Sequence, residues 1–313
     1  MTRDEPWAVI LAGGDGWRLR SLTETIVGRS RPKQFCPIVD DETLLDRTRR
    51  RVDLLVRFDR QVVVVTRAHE PHYRYLDREM APGRLVVQPE NRGTGPGIVY
   101  PLLRIRDLAG DDAPVAIFPC DHYVFDDCAF MGCVARACES LEAVPDAIIL
   151  LGVEPMYAET EYGWIEPVAV PVRMDDEILW RIRRFWEKPS AALAEHLLAR
   201  RCLWNTFVMV ARVRRFLDLV RSTCPGLLTA FRKVRAGLDE GGEQVAIEEA
   251  YRTLPSLSFA SSVLARRPSK LAVIRVTGLE WSDWGSVGRV LDSLRRAGRR
   301  PSWVPRAEAL RTA

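Results

Sequence analysis

Short apolar runs alternate with amphipathic stretches through the first half of this chain, and that alternation constrains the fold more than any other feature. Trp7-Ala8-Val9-Ile10-Leu11-Ala12 ends in glycines and reads as a buried strand. Similar runs recur at Gln61–Thr66, Leu85–Gln88, 115–118 and 147–151. Helical patterns lie between them at 43–57, where Thr43 is the expected cap, and at 68–80, 96–108 and 127–142. Residues 13–42, rich in Gly, Arg, Pro and Asp, read as a long loop. Buried strands separated by helices imply parallel crossovers and hence an α/β, doubly wound, mixed but mainly parallel sheet. After Gly152 the pattern changes. Longer, more exposed strands are expected within 162–186, then a helix at 190–200, a strand at 203–211, several helices between 212 and 265, a strand at 271–276 and a closing helix at 285–296. With no repeat and no long linker, one domain over 1–300 with an inserted lobe is expected, followed by a tail at 301–313.

Composition removes several classes of function. No window holds the long uncharged apolar run of a membrane span, and the first residues, Met1 to Pro6, lack an apolar leader core, so a cytoplasmic location is expected. Seven cysteines without a Cys-x-x-Cys pair read as reduced thiols rather than a zinc site or a disulfide framework. Acidic residues nearly balance basic ones at a net charge of +4, and no aromatic-rich basic stripe is present, which argues against nucleic acid. Of the 46 basic residues only Lys33, Lys188, Lys233 and Lys270 are lysines. A lysine kept in so arginine-rich a chain marks a place where a compact ammonium and a planar guanidinium are not equivalent.

The first strand runs into Gly13-Gly14-Asp15-Gly16-Trp17-Arg18-Leu19. Such glycines let backbone N–H groups approach phosphate, or simply make a tight turn. The segment is neither a P-loop, since no Gly-Lys-Ser/Thr follows, nor a dinucleotide fingerprint, since Leu19 stands at the last glycine position. Arg31-Pro32-Lys33-Gln34-Phe35 lies in the same loop, and a lysine facing a glycine loop is what a triphosphate site needs.

With these two motifs the chain resembles the nucleotide-sugar pyrophosphorylases, and among them the mannose-1-phosphate guanylyltransferase branch. Further segments match in order. They are Gln88-Pro89-Glu90-Asn91-Arg92-Gly93-Thr94, Phe118-Pro119-Cys120-Asp121-His122, Tyr162-Gly163-Trp164-Ile165, Phe185-Trp186-Glu187-Lys188-Pro189, Leu203-Trp204-Asn205-Thr206 and Trp281-Ser282-Asp283-Trp284-Gly285.

The resemblance implies a Rossmann-like nucleotidyltransferase fold, with a nucleotide-binding half at about 1–152 and a sugar-binding half at about 153–300. It implies transfer of a nucleotidyl group from an NTP, read as GTP, to a sugar 1-phosphate, read as mannose 1-phosphate, with Mg²⁺ as cofactor. No nucleic-acid or membrane partner is expected, and a homodimer is left open. Arg18 and Lys33 are the catalytic candidates; Gly13, Gly14, Gln88 and Thr94 the nucleotide-binding ones; Gly163, Glu187, Lys188 and Asn205 the sugar-phosphate-binding ones; Asp121 and Asp283 the metal ligands. Each aspartate has an alternative reading as the cap of the helix that follows it. If Glu187 and Lys188 are strand neighbours, only one of them faces the ligand unless a bulge intervenes.

Trp17 stands where the family usually has Ser or Thr, Gly93 for Asn, Gly95 for Ala, Glu161 for Gly and Phe207 for Gly. Two alternatives follow: the same chemistry with another base or sugar, and a weakened relative that only binds nucleotide sugars. A metal-dependent glycosyltransferase would not need the Gly13–Arg18 loop or Lys33.

Overall fold

The computed structural model of the chain describes residues 5–169, 171–174, 177–238 and 242–311. The first four residues, on which part of the leader argument rests, and the tail's last two lie outside the described residues, as do positions 170, 175 and 176 of the expected strand region. The strands are β1 (Trp7–Leu11), β2 (Gln61–Thr66), β3 (Leu85–Gln88), β4 (Pro114–Pro119), β5 (Tyr123–Val124), β6 (Ile148–Val153), β7 (Gly163–Pro167), β8 (Val172–Met174), β9 (Glu177–Glu187), β10 (Leu203–Arg212), β11 (Leu271–Val276) and β12 (Trp281–Ser282). The helices are α1 (Arg20–Val27), α2 (Leu44–Asp53), α3 (Glu70–Tyr73), α4 (Leu76–Glu79), α5 (Thr94–Ala109), α6 (Asp127–Glu139), α7 (Ala191–Ala199), α8 (Val213–Thr223), α9 (Pro225–Leu238), α10 (Glu243–Thr253), α11 (Val287–Arg296) and α12 (Val304–Glu308).

Ten strands form one sheet in the order β3-β2-β1-β4-β10-β6-β11-β9-β7, with β8 on β9. Neighbours β3-β2-β1-β4 are parallel, as are β6 and β11, while β10 runs antiparallel between β4 and β6. The alternating side chains of β1 divide between two cores. Val9 packs with α5, α8, α9 and α10 on one face, and Ala8 and Ile10 pack with α2, α4, α6 and α7 on the other. Both faces are therefore covered, which is why these strands read as continuous apolar runs.

Two expectations change. Residues 13–42 are not one loop: Leu19, just before α1, and Leu22, within it, join a third cluster with Cys36, Ile38, Trp284, Val290 and Trp303. The helix expected at 68–80 is broken into a tight turn, α3 and α4, with a proline in the first turn of α3. Thr43 does cap α2, accepting from the Asp46 N–H. From residue 301 the chain folds back: Trp303 is buried and donates from Nε1 to the Ile38 carbonyl at 3.0 Å, and α12 follows.

The small ladder of β5 and β12 matters most for the site. It pairs Trp281 with Val124 and Ser282 with Tyr123 in antiparallel register. That pairing lays the segment containing Asp121 alongside the segment containing Asp283, which are remote in sequence. Tyr123 and Trp284 stack across it with ring centroids 4.6 Å apart and planes 7° from parallel.

Candidate active site

The glycine loop leaves the carboxyl end of β1, Gln88 ends β3, and Asp121 follows the end of β4, so three segments meet at the sheet edge where open α/β folds place ligands. A cavity of about 320 Å³ opens there, walled by Gly13, Gly14, Gln88, Asn91, Thr94, Asp121, His122 and Phe207 among others. A larger hollow of about 560 Å³ lies at the opposite end of β4, around Asp111, Asp112, Glu142 and Arg212. Its charges pair with one another, Arg212 with Glu142 and Arg214 with Asp112, and none of the motif residues lines it.

Lys33 does not line the smaller cavity itself but reaches Asp121 in its wall. Its side chain is buried, and its ammonium donates to the Asp283 carbonyl at 2.6 Å, to the Trp284 carbonyl at 3.2 Å and to Asp121 Oδ2 at 3.1 Å. One cation thus ties the loop after β1 to both aspartate segments. The turn that presents it needs Gly16, whose φ is +65° and where a Cβ would lie 2.9 Å from the Lys33 backbone nitrogen. Next to it, Gln34 Nε2 donates to the carbonyls of Ala12 and Gly14, at 2.9 and 2.5 Å, and so shapes the glycine loop. Burial pushes the Asp121 carboxyl up, but Lys33 and His122 outweigh it and hold it below the usual carboxylate range. His122 lies edge-on to Trp281, and burial lowers its pKa.

Asp283 is engaged from several sides. Its Oδ1 accepts from the Gly285 N–H at 2.8 Å and lies 3.3 Å from Arg289 Nε, while Arg18 Nη2 stands 4.0 Å from Oδ2. Neither aspartate is a helix cap. Asp126 caps α6 and Ser286 caps α11. Among the described residues no group of three or more His, Cys, Asp and Glu converges. The protein offers two carboxylates of hard oxygen rather than a closed cage. That donor set fits a divalent cation whose shell is completed by phosphate oxygens and water.

Among the segments expected to bind the sugar phosphate, Leu203 pairs with Ile165 and Trp204 with Trp164, which sets Gly163 beside Asn205. A Cβ on Gly163 would lie 3.1 Å from Glu187 Oε2 and 3.4 Å from Asn205 Cβ, so glycine is what lets these side chains close in. The alternation problem at Glu187 and Lys188 is resolved locally: β9 stops at Glu187, and Lys188 has φ +47°. Burial raises the Glu187 carboxyl above its ordinary pKa, against the pull of Lys188. The Asn205 side-chain carbonyl accepts from the Phe207 N–H at 3.1 Å within the bulge of β10. Phe207 itself has φ +61°, a conformation that favours the glycine usual at this position in the family it resembles.

Thr94 starts α5 and its hydroxyl accepts from the Phe259 N–H at 2.8 Å, while Leu257 bonds the backbone of Arg92 and Gly95. A Cβ on Gly93, whose φ is +80°, would lie 2.6 Å from the Leu257 carbonyl oxygen. The close approach of segment 255–259 accounts for the glycine there. Trp17 is 69% exposed and does not wall the cavity, so its indole does not fill that space. Of the other tryptophans beside the motifs, Trp164, Trp204, Trp281 and Trp284 are buried packing residues and Trp186 is partly buried.

Several contacts around the site involve residues to which the sequence reading gives no role. Glu161 Oε2 accepts from Arg18 Nη1 at 3.0 Å and lies 3.8 Å from Lys188 Nζ, bridging cations from the two halves of the cleft. Glu159 Oε2 holds Arg289 Nη1 at 2.8 Å. Asp15 Oδ2 accepts from Asn91 Nδ2 at 3.0 Å, and its Oδ1 lies 3.4 Å from His69 Nε2, joining the glycine loop to the segment after β3. Tyr251 reaches Gln88 from α10.

Comparison with known proteins shows the family. A sequence model of the family described as "Nucleotidyl transferase" matches residues 7–297. The Escherichia coli (strain K12) mannose-1-phosphate guanylyltransferase is 27% identical over 91% of this chain and 59% of its own length. The xanthan biosynthesis protein XanB of Xanthomonas campestris is 28% identical over 91% of this chain and 58% of its own. The chain therefore spans somewhat more than half the length of the curated relatives it matches. Among solved structures, one described as a mannose-1-phosphate geranyltransferase from Thermus thermophilus superposes with a TM-score of 0.76 at 26% identity, covering 95% of this chain and 80% of that one. UDP-glucose pyrophosphorylase in complex with UDP-glucose shares the fold, with a TM-score of 0.57 at 15% identity over 93% of this chain and 97% of that one. Nucleotidyl transferases of this kind generally use a divalent metal.

Proposed function

This chain belongs to the nucleotidyl transferase family, and from that premise we propose that it transfers the guanylyl group of GTP to mannose 1-phosphate, yielding GDP-mannose and pyrophosphate, with Mg²⁺ as the cation. The observation that carries this reading is the Lys33 ammonium, which joins the phosphate loop to the segments of both Asp121 and Asp283. A phosphate oxygen of the sugar phosphate attacks the α-phosphorus of the NTP, and the bond to the β-phosphate oxygen breaks as pyrophosphate leaves. Both reactants are anions, so alignment and charge neutralisation supply the catalysis and no protein nucleophile is required.

Arg18 and Lys33 hold the triphosphate as charge builds on the α-phosphoryl oxygens. Gly13 and Gly14 present backbone to the nucleotide, Gln88 meets the base, and Thr94 lies on the ribose side. Gly163, Glu187 and Asn205 line the sugar, with Glu187 accepting from its hydroxyls, and Lys188 meets its phosphate. This assigns nucleotide binding to about 1–152 and sugar binding to about 153–300. Asp121 and Asp283 would hold Mg²⁺, which when bound neutralises phosphate charge and draws the two anions together. Seven free thiols fit a reducing, cytoplasmic setting. Among the described residues no helix is long and apolar enough to cross a membrane.

The departures at Glu161 and Phe207 favour a second reading in which the base is kept and another hexose 1-phosphate is used. A pyrophosphate-release assay of four NTPs against a panel of sugar 1-phosphates, with and without Mg²⁺, separates the cases. GTP with mannose 1-phosphate should give the fastest release. No release above background with any pair would reject the enzymatic reading.

A further inference from the structure

The Gln88 side chain has the capacity to offer a nucleobase either a donor or an acceptor, and which one it shows depends on what holds its amide. Tyr251, on α10, donates its phenol O–H to Gln88 Oε1 at 2.9 Å, and both residues are buried. Two glycines flank the same amide. A Cβ on Gly13 would lie 2.5 Å from Gln88 Nε2, and one on Gly97 would lie 3.2 Å from Oε1. The amide is therefore gripped at its oxygen and closely walled on both sides, and it forms part of the wall of the nucleotide cavity.

We propose that Tyr251 sets the nucleobase preference of this site by locking the Gln88 amide with its N–H₂ group toward the cavity and the glycine loop. Turning the amide over would set N–H₂ against the phenol. The hydroxyl would then have to accept, and its own buried proton would lose its acceptor. Burial raises the phenol's pKa far above neutrality, so the hydroxyl keeps that proton throughout the working range. Tyr251 is itself placed by packing: its ring meets Phe231 edge-on at 5.9 Å, and Phe231 lies against Tyr100 of α5.

A reading head fixed as a donor accepts a base that shows a carbonyl oxygen at that position and rejects one that shows an amino group. Guanine O6 and thymine or uracil O4 are acceptors, whereas adenine N6 and cytosine N4 carry donors. Tyr251 is thus a positioning residue for specificity and touches no reacting atom. The inference rests on the nucleotidyl-transfer reading and deepens it, since it names the residue that fixes the base preference of the site.

The test compares wild type with Tyr251→Phe, which keeps the ring and removes only the hydroxyl. The ratio of kcat/KM for GTP to that for ATP is measured in the pyrophosphate-release assay, and GDP and ADP affinities by calorimetry. Wild type should favour the guanine nucleotide. In the variant that ratio should fall by about tenfold, the scale of one misplaced buried hydrogen bond, while kcat at saturating GTP stays within about threefold. Because it is a ratio, it does not depend on the fraction of variant that folds.

A variant ratio within twofold of wild type, or a wild type that takes adenine as readily as guanine in both assays, overturns the lock. Loss of the GDP preference in a protein that releases no pyrophosphate would support the lock and reject transfer. Turnover with an unchanged ratio would do the reverse, and failure of wild type to bind either diphosphate would reject the lock.

Discussion

The Lys33 ammonium stands 3.1 Å from Asp121 Oδ2 while donating to the Asp283 carbonyl at 2.6 Å. Residues from three separate parts of the chain therefore share one cation, and removing it should disturb structure and chemistry together. Lys33→Ala leaves Asp121 without its cation and two carbonyls without a donor. A loss of about 2 kcal/mol in unfolding free energy is expected from unpaired buried groups, read from denaturant midpoints. Turnover should fall about a hundredfold or more, on the scale of one lost oxyanion donor. Lys33→Arg should restore little, because a planar fork does not reproduce three divergent N–H directions. Full rescue by arginine would show that only the charge matters.

Glu161 sits between Arg18 and Lys188 as a carboxylate placed where substrate phosphates are expected. Glu161→Gly should free both cations. The KM for the sugar 1-phosphate is then expected to fall about threefold to tenfold, with kcat little changed. Since the pairs are exposed, stability should move by no more than about 0.5 kcal/mol. A rise in KM would instead make Glu161 a substrate contact.

Burial raises the Glu187 carboxyl above its ordinary pKa. A raised folded-state pKa means that the associated stability is present below the unfolded pKa and is lost as pH climbs through the folded one. Glu187→Gln does not ionise. Its melting temperature relative to wild type should therefore increase from acid to neutral pH, while kcat/KM for the sugar phosphate drops. A difference that stays constant with pH would place the carboxyl in ordinary solvent.

Trp17 projects into solvent with Arg20 5.9 Å from its ring centre. Trp17→Ser should change stability by about 0.5 kcal/mol at most and turnover by less than about threefold. A large gain in rate would mean that the indole enters the cleft when substrates bind.

The strands and the motif order were legible because both depend on local signals. Apolar runs such as Gln61–Thr66 can be satisfied only by burial on both faces, and each motif carries its residues within a few positions. Helix α1 was missed because only one side of it is apolar and it lies among arginines and glycines that read as loop. The contacts that finish the site have no local signature at all. Tyr251 meets Gln88 across 163 residues and Arg289 meets Glu159 across 130, and nothing in either segment announces its partner. Glu161 and Phe207 were visible as departures, but their consequences were not: one is a bridge across the cleft, the other a side chain held at positive φ in its wall.

The central claim is that Asp121 and Asp283 serve one cation between two anionic reactants, and it is tested most directly by pyrophosphate release from Asp121→Ala, Asp283→Ala and the double variant. Each single change should slow turnover about a hundredfold or more, and the double should be no more than a few-fold below the slower single, because groups that act as one unit are lost together. Near-wild-type turnover in either single variant, or losses that multiply in the double, would contradict a shared metal site.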